Sequence, residues 1–435
     1  MKARRRELVG LVFAAILATV ALVNVVAARD AEITTRPLFW GLAFLGLYLA
    51  AHIVIRRTAP DADPALLPLT AVLTAFGLTV NYRLDPAGGA RQATWVAIGV
   101  GVLCATLILL RHDYRVLESY RYLFGVAAVA LLLLPSMPVF GERVNGARLW
   151  VQAGPLQFQP GELAKICLIV FLAGYLREKR EVVAQGRLKD FGPLLAIWGA
   201  AMLVIVQTND LGSALLNFGI FLAMLYVATG RALYVATGLA LFVAGSTVLY
   251  HAIGHVRERV TIWLAPWTTD KVYCAINGKL ELRQDCASYQ LVKSLYSIGN
   301  GGFTGTGLGR GTFTSTDGSQ LIPYLNTDFV YSAIAQELGL VGASALILVY
   351  MLFVVRGMRI SLRASDGFSK LLAAGLTFGI ALQTFIIVGG VLRAVPLTGI
   401  TLPFVSYGGT SVVANFLLLA GLLLVSDRAN ALSER

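Results

Sequence analysis

Charge is scarce in this sequence: 14% of its 435 residues are Asp, Glu, Lys or Arg, whereas 57% are hydrophobic. Soluble domains carry about 25% charged residues, so a water-soluble globular core is excluded. Histidine and cysteine are also few, four of each. His251 and His255 stand at i,i+4, but there is no H-E-x-x-H and no cysteine beside them, so they read as an interfacial pair without a metal. The chain has no G-x-x-x-x-G-K-[ST], and its glycine-rich stretch at 299–312 follows no strand, which excludes a nucleotide fingerprint. It also lacks S-x-x-K with K-T-G, and G-x-S-x-G, so acyl-enzyme chemistry is excluded.

In place of charge the sequence has long apolar runs. About twelve are long enough to cross a bilayer: 8–28, 37–55, 65–82, 92–110, 122–140, 162–178, 192–208, 211–229, 233–251, 328–355, 368–391 and 407–427. The expected fold is therefore an all-α polytopic membrane protein. The first run is too long for a signal peptide and reads as an uncleaved helix. RRTAPDADP (56–64) marks a boundary, with two spans in 1–64 and the main membrane domain in 65–435. The net charge is +12. Lys2/Arg4/Arg5/Arg6, Arg56/Arg57, Arg111/Arg115/Arg121, Arg177/Lys179/Arg180/Arg187/Lys189 and Arg356/Arg359/Arg363/Lys370 all fall on one side of this twelve-span arrangement. The positive-inside rule makes that side cytoplasmic, with both termini inside. The basic excess then serves topology and anionic lipids, not nucleic acid.

The polar residues that remain are the informative ones. The interval 252–327 is the one long break between apolar runs, and it faces outward. Cys274 and Cys286 lie in it and read as a disulfide or as two free thiols. Cys104 and Cys167 lie in apolar runs and read as packing residues. The glycines of 299–312 suit a hinge, or backbone amides open to a phosphate. Glu162 and Lys165 share one helical face, either as a functional pair or as an interfacial pair that snorkels. Asp210, after Asn209, reads first as a helix N-cap and second as functional. Pro396, Pro403 and Gly408-Gly409 break the backbone and place SYGGTS beside whatever the outer loop covers. Asp328 precedes an apolar run and reads as a helix cap or as an acid or base at the lipid–water boundary. Glu337, deeper in that run, has no obvious partner.

Four segments together resemble the SEDS family (shape, elongation, division and sporulation), the RodA/FtsW/SpoVE proteins. They are NGARLWVQAGPLQFQPGELAK (145–165), QTNDLGSALL (207–216), YQLVKSLYSIGNGGFTGTGLGRG continuing to IPYLNTDFVYSAIAQELGLVG (289–342), and PLTGITLPFVSYGGTS (396–411). The resemblance implies a ten-helix membrane fold with a large extracellular loop, to which this chain adds two N-terminal spans. It implies a peptidoglycan glycosyltransferase that polymerises lipid II at the outer face of a bacterial plasma membrane. The aspartate of TDF, Asp328, is then the catalytic residue. Arg148, Gln159, Glu162 and Lys165 line the cavity, and Asp210 matches a further acidic position. Gly161 and Asn209 depart from the family's usual spelling but leave the charged residues in place.

The reaction needs a base for a sugar hydroxyl, cations for a diphosphate and a groove for lipid tails. Arg148, Lys165 and Arg393 are the sequence candidates for the diphosphate, with a divalent cation (Mg or Mn) as a further expectation. Ser406, Gly408 and Gly409 complete the candidate substrate site. A class B penicillin-binding protein is the expected cross-linking partner, and short cytoplasmic tails favour a RodA-like role in elongation. A lipid II flippase would show internal repeats and a midplane site, and a scaffold would leave Asp328 and Glu162/Lys165 without a purpose.

Overall fold

The computed structural model describes all residues except 1, 31–34, 138–140, 145–146, 154–155, 182–191, 269, 275–278, 315–319 and 434–435. Twelve helices stand where the apolar runs predict spans. Counting three shorter ones, the helices run α1 (Lys2–Asp30), α2 (Arg36–Thr58), α3 (Leu66–Leu84), α4 (Pro86–Leu110), α5 (Val116–Ser119), α6 (Arg121–Leu133), α7 (Pro160–Glu178), α8 (Gly192–Gln207), α9 (Leu211–Thr229), α10 (Ala232–Ala252), α11 (Gly254–Leu264), α12 (Tyr289–Gly301), α13 (Val330–Arg363), α14 (Gly367–Val391) and α15 (Gly409–Ser433). In the twelve long elements proline occurs only within the first turn, where its missing N–H has no partner to lose. Eight of them are individually long and apolar enough to cross a membrane. α3 and α7 carry more polar residues, and α6 and α8 are shorter.

α14 and α15 are buried over most of their length and form the centre of the bundle, whereas α10 is almost wholly exposed. Alternation of the spans puts both termini and the described basic clusters at one end and Asp328 at the other. Arg187 and Lys189 lie outside the described residues.

The first two helices are fastened to the rest by charge as well as by packing. Glu7, fully buried, pairs with Arg4 and, at 2.7 Å, with His52 Nδ1 of α2. Arg4 also donates to the carbonyls of Pro60 and Ala62, and Asp63 N donates to Ser426 Oγ of α15 at 2.8 Å. The boundary segment is thus a docked strap at the termini's end of the bundle.

Two regions differ from the expected all-helical layout. The run 122–140 stops short because Pro135 cannot continue the helix. The chain then folds into a three-stranded antiparallel sheet, β1 (Gly141–Val144), β2 (Ala147–Ala153) and β3 (Leu156–Phe158). The interval 252–327 is also more ordered than a loop. It holds α11, a hairpin of β4 (Lys271–Tyr273) and β5 (Leu280–Leu282), and the amphipathic α12. Cys274 and Cys286 are bridged across 12 residues, so the disulfide reading holds and the hairpin is closed locally.

The glycine-rich stretch does not form the hinge or open phosphate cradle suggested by its composition. The Glu337 carboxylate accepts from Gly309 N (3.0 Å), Gly311 N (3.1 Å) and Arg83 Nε (3.0 Å). Arg83 also donates to the Gly311 carbonyl at 2.9 Å and stacks over Phe313. The carboxylate that looked unpartnered in sequence therefore pins the stretch down. α13 makes room for it with a break at Gly339, whose φ of 64° favours glycine.

Candidate active site

Asp328 lies in a turn just before α13 and does not cap that helix. Phe329 occupies the cap position, with no side-chain cap bond. The backbone of Asp328 is held instead: its N–H donates to the Tyr324 carbonyl, and Tyr324 adopts φ 60° to present it. The side chain faces a cleft of about 200 Å3 lined by Arg259, Trp263, Gln290, Leu291, Leu397 and Gly399. Gly399 forms part of the wall beside it, and a Cβ there would sit 3.6 Å from Asp328 Oδ2, in ordinary van der Waals contact.

The side chain retains partial access to the cleft, but protein crowds it on its other sides. That burial raises its pKa to about 6, against opposing contributions from the Thr327 hydroxyl and the Arg259 guanidinium. A carboxylate with this pKa is a better base than a free aspartate and is still largely ionised at neutral pH. If Asp328 acts as the base, the rate of the chain's reaction should climb with pH, half-developed near pH 6, and level off above it. A rate profile flat from pH 5 to 8 would rule that out.

The motif SYGGTS explains how the aspartate is placed. Ser406, 2% exposed, donates from Oγ to the Thr327 carbonyl and accepts from Leu402 N at 2.9 Å. Tyr407 N donates to the Asn326 carbonyl at 2.8 Å. Gln92 of α4 closes the arrangement, donating to the Ser406 carbonyl at 3.1 Å and accepting from Gly408 N at 3.3 Å. Gly409 lies flat against Trp95, where a Cβ would come within 2.2 Å of the ring. Ser406, Gly408 and Gly409 thus position Asp328 from behind and do not line the cleft. Gln92 and Trp95 lie in an apolar run and gave no signal in sequence.

Other predicted residues fall into a second polar group. Lys165, 3% exposed, donates to Glu162 Oε2 and to Gln383 Oε1 of α14, both at 2.8 Å. Gln383 Nε2 in turn donates to the Thr401 carbonyl at 2.8 Å. Lys165 is therefore tied into the framework and does not line the Asp328 cleft. The snorkelling alternative fails, because the ammonium is buried. Gln159 precedes α7, and its N–H donates to Thr410 Oγ1 of α15 at 3.0 Å. Asp210 is an N-cap as its sequence context suggests, accepting from Ser213 N at 2.9 Å. Burial is the main cause that raises its pKa, Glu162 adds to the rise, and Arg259 opposes it. Arg148 lies on β2, and its side chain is outside the described residues.

Arg393, at φ 62°, does not line the Asp328 cleft either. Its guanidinium donates to the Leu264 carbonyl at 3.1 Å and lies 5.2 Å from the Trp267 ring centroid. Trp263 Nε1 donates to the Arg393 carbonyl at 3.0 Å. Together these contacts clamp α11 over the cleft. The exposed cation that α11 brings to the cleft is Arg259, which donates to the carbonyls of Leu397 and Thr398 at 3.4 and 3.2 Å. Sequence reading passed over it as one charge among several in HVRERV. Among the described residues, the left-handed non-glycine positions are Asn209, Tyr324, Arg393 and Phe404. All four flank this end of the bundle, and such strain gathers where a site must be held in one geometry.

Comparison with known proteins places the chain among a set of relatives. The family profile for the FtsW, RodA and SpoVE proteins, described as "Cell cycle protein", matches residues 65–431. "Peptidoglycan glycosyltransferase RodA" of Mycobacterium tuberculosis is 38% identical, over 98% of this chain and 91% of its own length. "Stage V sporulation protein E" of Bacillus subtilis is 31% identical, over 85% of this chain and 98% of its own. Among solved structures, the rod shape determining protein RodA of Thermus thermophilus superposes with a TM-score of 0.59 at 26% identity, covering 84% of this chain and 97% of that one. A chain described under "Structural coordination of polymerization and crosslinking by a peptidoglycan synthase complex" superposes with a TM-score of 0.69 at 27% identity, covering 85% and 98%.

Proposed function

The chain belongs to the FtsW/RodA/SpoVE family of cell cycle proteins, and on that premise we propose that it is a peptidoglycan glycosyltransferase that polymerises lipid II. The observation that carries the mechanism is the cleft in which Asp328 and Arg259 are neighbours. Asp328 takes the proton of the acceptor sugar hydroxyl as that oxygen attacks the anomeric carbon of the donor, with inversion. The bond to the diphosphate breaks, and the proton stays on Asp328. Negative charge growing on the leaving diphosphate is met by Arg259, the exposed guanidinium in the cleft. Lys165, Glu162 and Asp210 then act as framework groups behind this pair.

The donor set around Asp328 is a single carboxylate beside a guanidinium, which does not fit a resident divalent cation. No group of three candidate metal ligands gathers among the described residues. A Mg or Mn ion would have to arrive with the diphosphate, and no step here depends on one.

In this reading both termini are cytoplasmic, Asp328 faces the outside of a bacterial plasma membrane, and residues 1–64 are an addition to the common domain. The sequence identities support an elongation role: the mycobacterial RodA relative is 38% identical, whereas the SpoVE and FtsW relatives are 31% and 30% identical. The missing acyl-enzyme motifs call for a separate cross-linking partner, which we take to be a class B penicillin-binding protein.

Purified protein should form glycan polymer from lipid II in detergent. Arg259→Gln should lower kcat by about 10²-fold, the scale for losing one group that stabilises transition-state charge. Arg259→Lys should recover part of that loss. Translocation of lipid II in liposomes without any polymer would refute the enzyme reading in favour of a flippase.

A further inference from the structure

We propose that the two added helices build, with α3 and α4, a binding groove for an acyl chain of a membrane glycerophospholipid, separate from the Asp328 cleft. A cavity of about 440 Å3 lies between α1, α2, α3 and α4, and it shares no lining residue with that cleft. Its volume falls in the range of ligand sites, about 300–1,000 Å3. Its walls are overwhelmingly apolar, with Leu22 and Phe44 supplied by the added pair. One side is open: Trp40, Ala43 and Ala97 line the cavity and are exposed on helices that span the membrane. In a bilayer that opening meets hydrocarbon, and an apolar cavity stays dry and takes apolar guests.

Of the cavity's polar side chains, Trp40, Thr79, Tyr82 and Thr94, the buried one is Thr79, and it selects the kind of guest. Thr79 lines the cavity at 3% exposure, and its hydroxyl has no hydrogen-bond partner among the described residues. Thr70 and Thr74 of the same helix instead donate to carbonyls one turn back. A hydroxyl that opens on an apolar cavity calls for a partner there. Thr79 stands five residues before the end of α3, roughly 7.5 Å below that end at 1.5 Å per residue. An acyl lipid carries its ester carbonyls at the boundary of the hydrocarbon, around the end turns of a spanning helix, and each carbonyl is an acceptor. A polyprenyl chain presents only hydrocarbon and would leave the hydroxyl unsatisfied.

The test uses full-length protein in phosphatidylglycerol/phosphatidylethanolamine vesicles, with a phosphatidylglycerol probe carrying a diazirine near its ester. Photolysis should label peptides of the 75–97 region. Filling the groove with Ala93→Trp should cut that labelling at least fivefold while labelling of lipid-exposed α10 stays constant. Thr79→Val, which keeps the shape and removes the donor, should cut it about two- to threefold. It serves as the second arm should Ala93→Trp fold poorly. Labelling of 75–97 unchanged in Thr79→Val, or stronger with a diazirine polyprenyl phosphate than with phosphatidylglycerol, would overturn the proposal.

Discussion

Asp328→Asn should reduce lipid II polymerisation by about 10²–10⁴-fold, the usual contribution of a positioned general base. The asparagine is nearly isosteric, and the backbone that holds this residue is bound by Tyr324 and Ser406 through peptide groups that the substitution leaves untouched. The loss should therefore appear in kcat, with thermal stability and substrate binding close to wild type. Asp328→Glu should be almost as poor. One added methylene moves the carboxylate away from the position its backbone sets and toward the Gly399 wall of the cleft. Polymer formed by purified Asp328→Asn protein at the wild-type rate would remove Asp328 from the mechanism.

The second large effect concerns stability. Glu337→Leu should destabilise the protein by about 3–5 kcal/mol, the scale for removing one partner of a buried ion pair. The substitution strands Arg83 and leaves the amides of Gly309 and Gly311 without an acceptor. Replacing both charges, as in Arg83→Met with Glu337→Leu, should recover much of the loss, since the uncompensated charge accounts for much of the penalty. A double-mutant cycle on the melting temperature in detergent measures the coupling. Equal destabilisation by the single and double variants would mean that the glycine-rich stretch, and not the ion pair, carries the effect.

The helices were legible because apolar length alone marks a span, and all twelve runs became helices. The sheet at 141–158 was not, because its short strands sit between two apolar runs and carry no clear alternation. At the site, Asp328, Glu162, Lys165 and Asp210 stood out as charges in apolar surroundings. What could not be read was which charges are already spent. Glu337 looked unpartnered and Lys165 looked paired with Glu162 alone, yet Arg83 and Gln383, which bind them, lie 254 and 218 residues away in the chain. Arg259 was obscured for the opposite reason, since one arginine in a polar loop is unremarkable until the fold sets it beside an aspartate.

The hold of Ser406 and Tyr407 on the backbone just before Asp328 also sets an order of assembly. A membrane protein is inserted as it is synthesised, and Asp328 enters the bilayer surface about 80 residues before the segment that anchors it. Until that segment is made, the nascent protein holds Asp328 and its Tyr324 contact but lacks the Ser406 and Tyr407 contacts that brace it from behind. Premature termination before Ser406 should therefore yield inserted but inert protein. A cell translating this chain gains a polymerase only as the last helix goes in.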